Sequence, residues 1–425
     1  MILLYFTTLR LHFFSDVQTI INRNLEIGLL AIVVAVNLSL SAYKRSVFLI
    51  GLSLTLGYAT AIISDSSYLI FLLLTIFSLV TVFYKIRYRW NNLYLYAIIL
   101  TYSIHFLWFL NNPLLGKSLT FVSAPDANLY FLVLYALIFS FGNLFREKDI
   151  PEDNSLVMTT FFNCAGSAGL LLIISVFKFQ QLIFAGHLAA SIIFLLLSVG
   201  FWIKEKSKIS TFFYAICGYG MLSVAIISKF ENPQFFVLLS WQSLLVISTA
   251  IWYRSKFIIG ANFMIFLIIF ISYLALAAEI DYSSLSFAVV AMTSARILNW
   301  KKHRLELKTE LMRNAYLTCT FFMLPYALYY LMPEKFLSLS WVSIALLYYI
   351  LSRLLQNKKY RWMALATLLL TVSYVLGIGI IRLDPAYRVV SFIVLGLVLL
   401  AISFVYTRIK NKSSTQPSSN DNNMM

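Results

Sequence analysis

Ionisable side chains are costly inside a bilayer, so in a chain as apolar as this one they mark candidate sites. His105 and His187 each fall in the outer third of an apolar segment, where two imidazoles could titrate together or share a ligand. A histidine near a helix end more simply hydrogen-bonds a neighbouring helix. Glu279 and Asp281 crowd one segment end and are followed by Tyr282, Ser283 and Ser284. Two carboxylates two residues apart could hold a cation if further oxygen ligands came from elsewhere, and a solvated turn is the plainer reading. Asp65, flanked by Ser64, Ser66 and Ser67, occupies an early outer turn. Some membrane glycosyltransferases keep an acid in such a place, but here no second acid stands nearby. Cys164, Cys217 and Cys319 fall singly in three apolar segments, with no CxxC and no histidine at ligand spacing, and read as buried inert thiols. The residues therefore call for no metal and no cofactor. All 17 carboxylates lie in connections or at segment ends, which leaves no mid-membrane acid to relay protons or hold sodium.

The elements that must position these residues are apolar segments of bilayer-crossing length. A hydrocarbon core about 30 Å thick needs about 20 mostly apolar helical residues, and inside it the backbone must satisfy its own hydrogen bonds. Fifteen such segments are predicted, at 26–43, 47–63, 67–84, 92–110, 129–145, 156–177, 183–202, 211–228, 233–252, 256–278, 285–298, 313–331, 335–353, 361–381 and 385–407. The 425 residues are 61% hydrophobic and only 12% charged, against about 25% charged in a soluble domain. The expected fold is all-α: a polytopic transmembrane helical bundle, one domain over 26–410.

The net charge of +16 raises the question of nucleic acid, and its distribution answers it. Connections of one parity hold 25 of the 33 Lys and Arg; those of the other parity hold six, and the N-terminal segment the remaining two. The positive-inside rule makes the rich side cytoplasmic. This predicts a bacterial cytoplasmic membrane protein with its N-terminus outside and its C-terminus inside, and no nucleic-acid partner. The implied partners are membrane lipids, with anionic headgroups at the cytoplasmic face, each basic residue near that surface contributing about 1 kcal/mol. Oligomeric state is not legible.

Residues 1–25 begin like a signal peptide but lack a basic start and carry Arg10 and His12 where the apolar stretch should continue. They are expected to lie at the outer interface; insertion would make a sixteenth crossing. Residues 299–312 suggest a helix along the inner membrane face, and 411–425, rich in Ser, Asn and Gln, a disordered cytoplasmic tail. Asn37, Asn163 and Asn262 read as interhelical hydrogen-bonding residues, and Gly166, Gly169, Gly218 and Gly220 as sites of close helix approach. Pro325 predicts a kink. Phe236 to Ser243 (FVLLSWQS) and Phe336 to Ser343 (FLSLSWVS) suggest a parallel internal repeat of helix pairs, 236–300 with 336–408, in which Trp241 and Trp341 correspond.

From Arg382 the chain reads RLDPAYRVVSFIVLGLVLLAISFVYTRIK. Asp384 suits a helix N-cap, Pro385 the first helical position, and Arg388 lies four residues after Asp384. The longer pattern of Asp384, Tyr387-Arg388, Ser391-Phe392, Leu395-Gly396, Leu399-Leu400, Ser403, Tyr406 and Arg408 resembles the closing helix of a bacterial family of multi-helix predicted membrane proteins of unknown function. The resemblance implies architecture, with repeated helix pairs, and transfers no site residue.

Three functional readings follow. The first is a non-enzymatic envelope scaffold or a protein of lipid or solute handling. The second is a transporter or flippase for a lipid-linked or amphipathic substrate, which needs a membrane-open groove. The third is a membrane glycosyltransferase or polysaccharide polymerase, which the shortness of the outer connections disfavours.

Overall fold

Apolar runs of about 20 residues can bury their backbone polar groups only by closing helical hydrogen bonds, and a computed structural model shows that outcome. It describes residues 2–10, 22–144, 154–204, 206–277, 284–300, 309–379 and 385–400 without 388 and 399. Among these residues there is no strand. The helices are α1 (Ile2–Arg10), α2 (Arg23–Tyr43), α3 (Val47–Ser64), α4 (Ser67–Tyr88), α5 (Asn91–Phe109), α6 (Asn128–Leu144), α7 (Asn154–Lys178) and α8 (Ile183–Lys204). They continue with α9 (Lys208–Lys229), α10 (Gln234–Trp252), α11 (Lys256–Leu276), α12 (Leu285–Trp300), α13 (Glu310–Leu331), α14 (Glu334–Leu354), α15 (Lys358–Tyr374) and α16 (Pro385–Val398).

Among the described residues, eleven helices are long and apolar enough to cross a membrane. The protein is thus a multi-pass membrane protein. α6, α12 and α16 are apolar but shorter. α13 has the length, but Arg313, Asn314, Pro325 and its tyrosines lower its hydropathy. Each predicted segment overlaps one of these helices from α2 onward. α1, nine residues long, rises only about 13 Å and cannot span. It is pinned by Tyr5, whose hydroxyl lies 3.0 Å from that of Thr60 on α3.

Short connections keep sequential helices adjacent. Ser46 caps α3 by accepting from the Leu49 N–H, and Ser207 caps α9 by accepting from the Ser210 N–H. Arg45, Asp65 and Arg89 take left-handed backbone angles at the turns, each ending or joining helices within two or three residues.

The chain packs as two compact units. The first holds residues up to Glu231 together with Trp252–Ile258. Its closest pairs are the hairpins α2/α3 and α8/α9, with α5 against α7 and α4 against α6. Phe71, Tyr94, Tyr135, Phe139 and Tyr214 are wholly buried in its core. The second holds Asn232–Ile251 and the residues from Ile259 onward, built on the hairpins α12/α13 and α14/α15. α16 rests on α14: the Ser391 and Ser338 hydroxyls are 2.7 Å apart, and Leu395 packs with Val342, Ala345 and Leu368.

Several sequence expectations fall outside the described residues: Glu279, Asp281, Asp384, Arg388, the tail at 411–425, and 301–308 of the expected inner-face helix. Trp241 and Trp341 each occupy the eighth position of their helix, α10 and α14, but their surroundings differ. Trp341 is 6% exposed and Trp241 42%.

Candidate functional site

Along α13, Asn314, Thr318, Phe321, Phe322, Pro325 and Tyr326 recur at intervals of three and four, so they form one face of the helix. Along α15, Lys359, Trp362, Ala366, Leu369, Leu370 and Ser373 do the same. Both helices rise from the same end of the second unit. α13 packs closely on α12 and only lightly on α15, which leaves a groove between the two faces. Trp341 of α14 closes part of its floor and donates from Nε1 to the carbonyl of Pro325 at 3.2 Å. Pro325 has no N–H, so the carbonyl of Phe321, also in the groove, loses its helical donor.

The groove consists of two adjoining cavities of about 570 and 400 Å³ that share Phe321 and Ala366. From Asn314 to Tyr330 it follows α13 for about 24 Å at 1.5 Å per residue. Its walls are aromatic and aliphatic and open outward: Phe322, Leu369 and Trp362 are each more than 60% exposed. One end is ringed by tyrosine, through Tyr326, Tyr329 and Tyr330. The other is polar, where the Lys359 ammonium donates to Asn314 Oδ1 at 2.6 Å and lies 3.2 Å from Glu310. An aromatic lining with a cation at one end accommodates a molecule with an apolar tail and an anionic head.

The candidate site residues read from the sequence, His105, His187, Asp65, Glu279 and Asp281, lie in the first unit or outside the described residues. His105 is fully buried on α5, stacked on Phe71 at 5.0 Å and edge-on to Trp108 at 5.4 Å. Neither of its ring nitrogens makes a hydrogen bond of ordinary geometry. His187 on α8 bonds through Nδ1 to the Ile183 carbonyl of its own helix at 2.8 Å. Among the described residues nothing joins the two histidines, so the structure does not assemble a shared ligand site. His105 is held by aromatic packing, with Asn128 of the neighbouring α6 in reach of its ring, and His187 bonds its own backbone. Asp65 pairs with Lys117 of the α5–α6 connection at 2.5 Å and ends α3 in a left-handed conformation that Asp tolerates. It is a turn residue in a half-exposed ion pair. No group of three or more His, Cys, Asp or Glu among the described residues is placed to hold a metal.

The first unit instead contains a buried polar network that sequence reading touched at one residue, Asn163. On α7 the Asn163 amide accepts from the Tyr102 hydroxyl at 2.7 Å, and its nitrogen faces the Ala136 carbonyl at 3.1 Å, Ser140 at 3.3 Å and Tyr214 at 3.0 Å. Ser140 and Tyr214 bond one another at 2.7 Å. Four helices meet at that amide. Toward the helix end, Asn143 of α6 faces Thr159 and Thr160 on α7 and accepts from Lys85 of α4, whose ammonium sits 4.0 Å over the Tyr94 ring. Asn262 of α11 bonds Ser243 of α10 in the second unit, whereas the buried Asn37 nitrogen has no partner. Asn163 and Asn262 are thus interhelical ties and Asn37 is not. Cys164 on α7 lies beside Cys217 on α9, their thiols within hydrogen-bonding reach, so these two cysteines are neighbours in space although isolated in sequence.

The groove lay outside the candidate site residues because its lining carries no histidine, cysteine or carboxylate, although the sequence pointed to Pro325 and Trp341 for other reasons. The available signal was periodic: polar and aromatic side chains three and four apart on α13, in a helix otherwise less apolar than its neighbours. Compared with known proteins, the chain matches no family model, no curated protein and no solved structure.

Proposed function

We propose that this protein handles lipid without catalysing a reaction, holding the hydrocarbon part of a membrane lipid in the groove between α13 and α15. The observation that carries the reading is the groove itself: about 24 Å of largely apolar, outward-open wall with charge in its lining at one end alone. A bilayer leaflet is half of a core about 30 Å thick, so a lipid tail reaches well into a groove of that length.

We place the protein in a bacterial cytoplasmic membrane with fifteen crossings, the N-terminus outside and the C-terminus inside, on the strength of the 25 to 6 division of basic residues. The polar end of the groove then faces the cytoplasm. The proposed relationship to the bacterial multi-helix family rests on the closing-helix residues, of which Ser391 and Leu395 serve to dock α16 on α14. The proposed helix-pair repeat rests on the shared position of Trp241 and Trp341.

Orientation has a direct measurement. Single cysteines at Ser66 and Ser118, both exposed in outer turns, should react with an impermeant maleimide added to intact cells, and one at the exposed Lys208 should react only after permeabilisation. The opposite pattern would invert the topology.

The groove is tested with phospholipids carrying a photoactivatable diazirine in the tail, reconstituted with the purified protein. Labelling should concentrate on peptides of α13 and α15, and Ala366→Trp, which fills the exposed centre of the groove, should reduce it several-fold. Labelling spread evenly over the lipid-exposed helices, unchanged by Ala366→Trp, would end this reading.

A further inference from the structure

We propose that the groove selects a phospholipid with a net negative headgroup, bound with its phosphate at Lys359 and Asn314 and its tail running along α13 and α15 toward Pro325. This rests on the lipid-handling reading and names the class of lipid.

The charge pattern at that end of the groove is the ground for it. A helix N-terminus carries partial positive charge from its unsatisfied N–H groups, so acidic side chains are favoured there and basic ones disfavoured. α15 inverts the preference: its first four residues are Lys358, Lys359, Tyr360 and Arg361, with no acid among them. α13 brings Arg313 to the same end, where it and Arg296 of α12 lie close enough to act on the Tyr360 phenol. Lys359 is the cation that lines the groove, and further basic residues of α12, α13 and α15 lie at the same end of the unit. Among the described residues the carboxylate at this end is Glu310, whose side chain is 74% exposed and hence largely neutralised by water. Like charges gathered on a helix's positive end repel one another and cost stability. An anion at the mouth relieves that repulsion.

The cation that points into the groove is Lys359. It is half-buried at 32% exposure, and its ammonium is fixed by Asn314 Oδ1 at 2.6 Å. That leaves Lys359 with donor capacity beyond its neutral amide partner and the solvated Glu310, since an ammonium carries three N–H groups. Beside it, Thr318 supplies a hydroxyl and Trp362, 68% exposed, an amphipathic ring of the kind that settles at headgroup depth. Beyond this point the lining becomes Phe321, Phe322, Leu369 and Leu370, which offer nothing to a charged group and much to a hydrocarbon tail. Charge and apolarity are thus ordered along the groove as they are along an anionic phospholipid. A zwitterionic headgroup presents the same phosphate but adds an ammonium that Lys359 and the basic residues at this end repel.

The test uses the full-length protein reconstituted in phosphatidylcholine vesicles with a trace of tail-diazirine phosphatidylglycerol or tail-diazirine phosphatidylcholine, comparing the yields of labelled α13 and α15 peptides. Wild type should favour phosphatidylglycerol. Lys359→Gln should reduce that preference about fivefold, the ratio that the roughly 1 kcal/mol per basic residue near a membrane surface corresponds to, while Lys359→Arg should retain it. Elution of each variant as wild type on size exclusion verifies folding. Ala366→Trp separates the two claims. If it lowers labelling by both lipids while Lys359→Gln leaves the headgroup preference intact, the groove holds lipid but does not select charge, and this proposal falls alone. An absence of preference in wild type has the same meaning. If Ala366→Trp changes nothing, the lipid-handling reading falls and this proposal with it.

Discussion

Gly166→Val should destabilise the folded protein by about 3 kcal/mol, a large part of the 5–15 kcal/mol that ordinarily separates folded from unfolded chains, and lower its yield from the membrane. The reason is local. A Cβ built on Gly166 of α7 would stand 2.4 Å from Cδ2 and 2.6 Å from Cγ of the Tyr102 ring, distances no side chain sustains. Tyr102 cannot swing clear cheaply, because it is buried on α5 and its hydroxyl is tied to Asn163. Overpacking of this kind costs about 1–3 kcal/mol, and displacing the ring breaks a hydrogen bond in a region with no water to replace it. Unfolding in mixed micelles, followed by intrinsic fluorescence, measures the loss. Tyr102→Ala removes the obstruction, so the double variant should be no less stable than Tyr102→Ala alone. Strictly additive losses would show that ring and glycine do not meet.

Asn163→Leu should cost about 2 kcal/mol in the same assay. Leucine keeps the branched heavy-atom skeleton of asparagine while removing every polar atom, though its methyl groups are bulkier. The amide makes four contacts, to Tyr102, Ala136, Ser140 and Tyr214. Interhelical hydrogen bonds in membranes average about 0.6 kcal/mol each, and the Ser140–Tyr214 bond survives to satisfy part of what is orphaned. Asn262→Leu, which removes a tie to Ser243 on one neighbouring helix, should cost less than Asn163→Leu. Equal effects at the two positions would refute the view that Asn163 is the junction of four helices.

Both predictions concern a feature that was only partly legible. Asn163 stood out because an amide in an apolar segment needs a partner, which is a local requirement. Tyr102, Ser140 and Tyr214 are each unremarkable in sequence, at 61, 23 and 51 residues from it, and no periodicity links them. Gly166 and Gly169 look alike in the chain, yet a Cβ at Gly169 meets nothing within 4 Å; only the helix that faces each one distinguishes them. The histidines repeat the lesson. Their positions in α5 and α8 were readable, whereas their separation, and the aromatic packing around His105, depend on which helices became neighbours.

The groove divides in the same way. The stripe on α13 and the stripe on α15 are each visible at helical spacing, but α14 lies between them in the chain. That α13 packs on α12 and α14 on α15, leaving the two stripes to face across a gap, is a choice of helix pairing.

What the sequence by itself determined is the class of the protein and the place of nearly every helix, because bilayer thickness and backbone hydrogen bonding act on each segment separately and admit one solution. Tertiary structure alone decided which helices touch, and with that the network at Asn163, the Asp65–Lys117 pair and the groove with Lys359 at its mouth. The physical reason is that apolar surfaces of similar hydrophobicity are nearly interchangeable in lipid, so helix partners are chosen by small residues, ring shapes and a few buried polar groups whose complements lie far away in the chain.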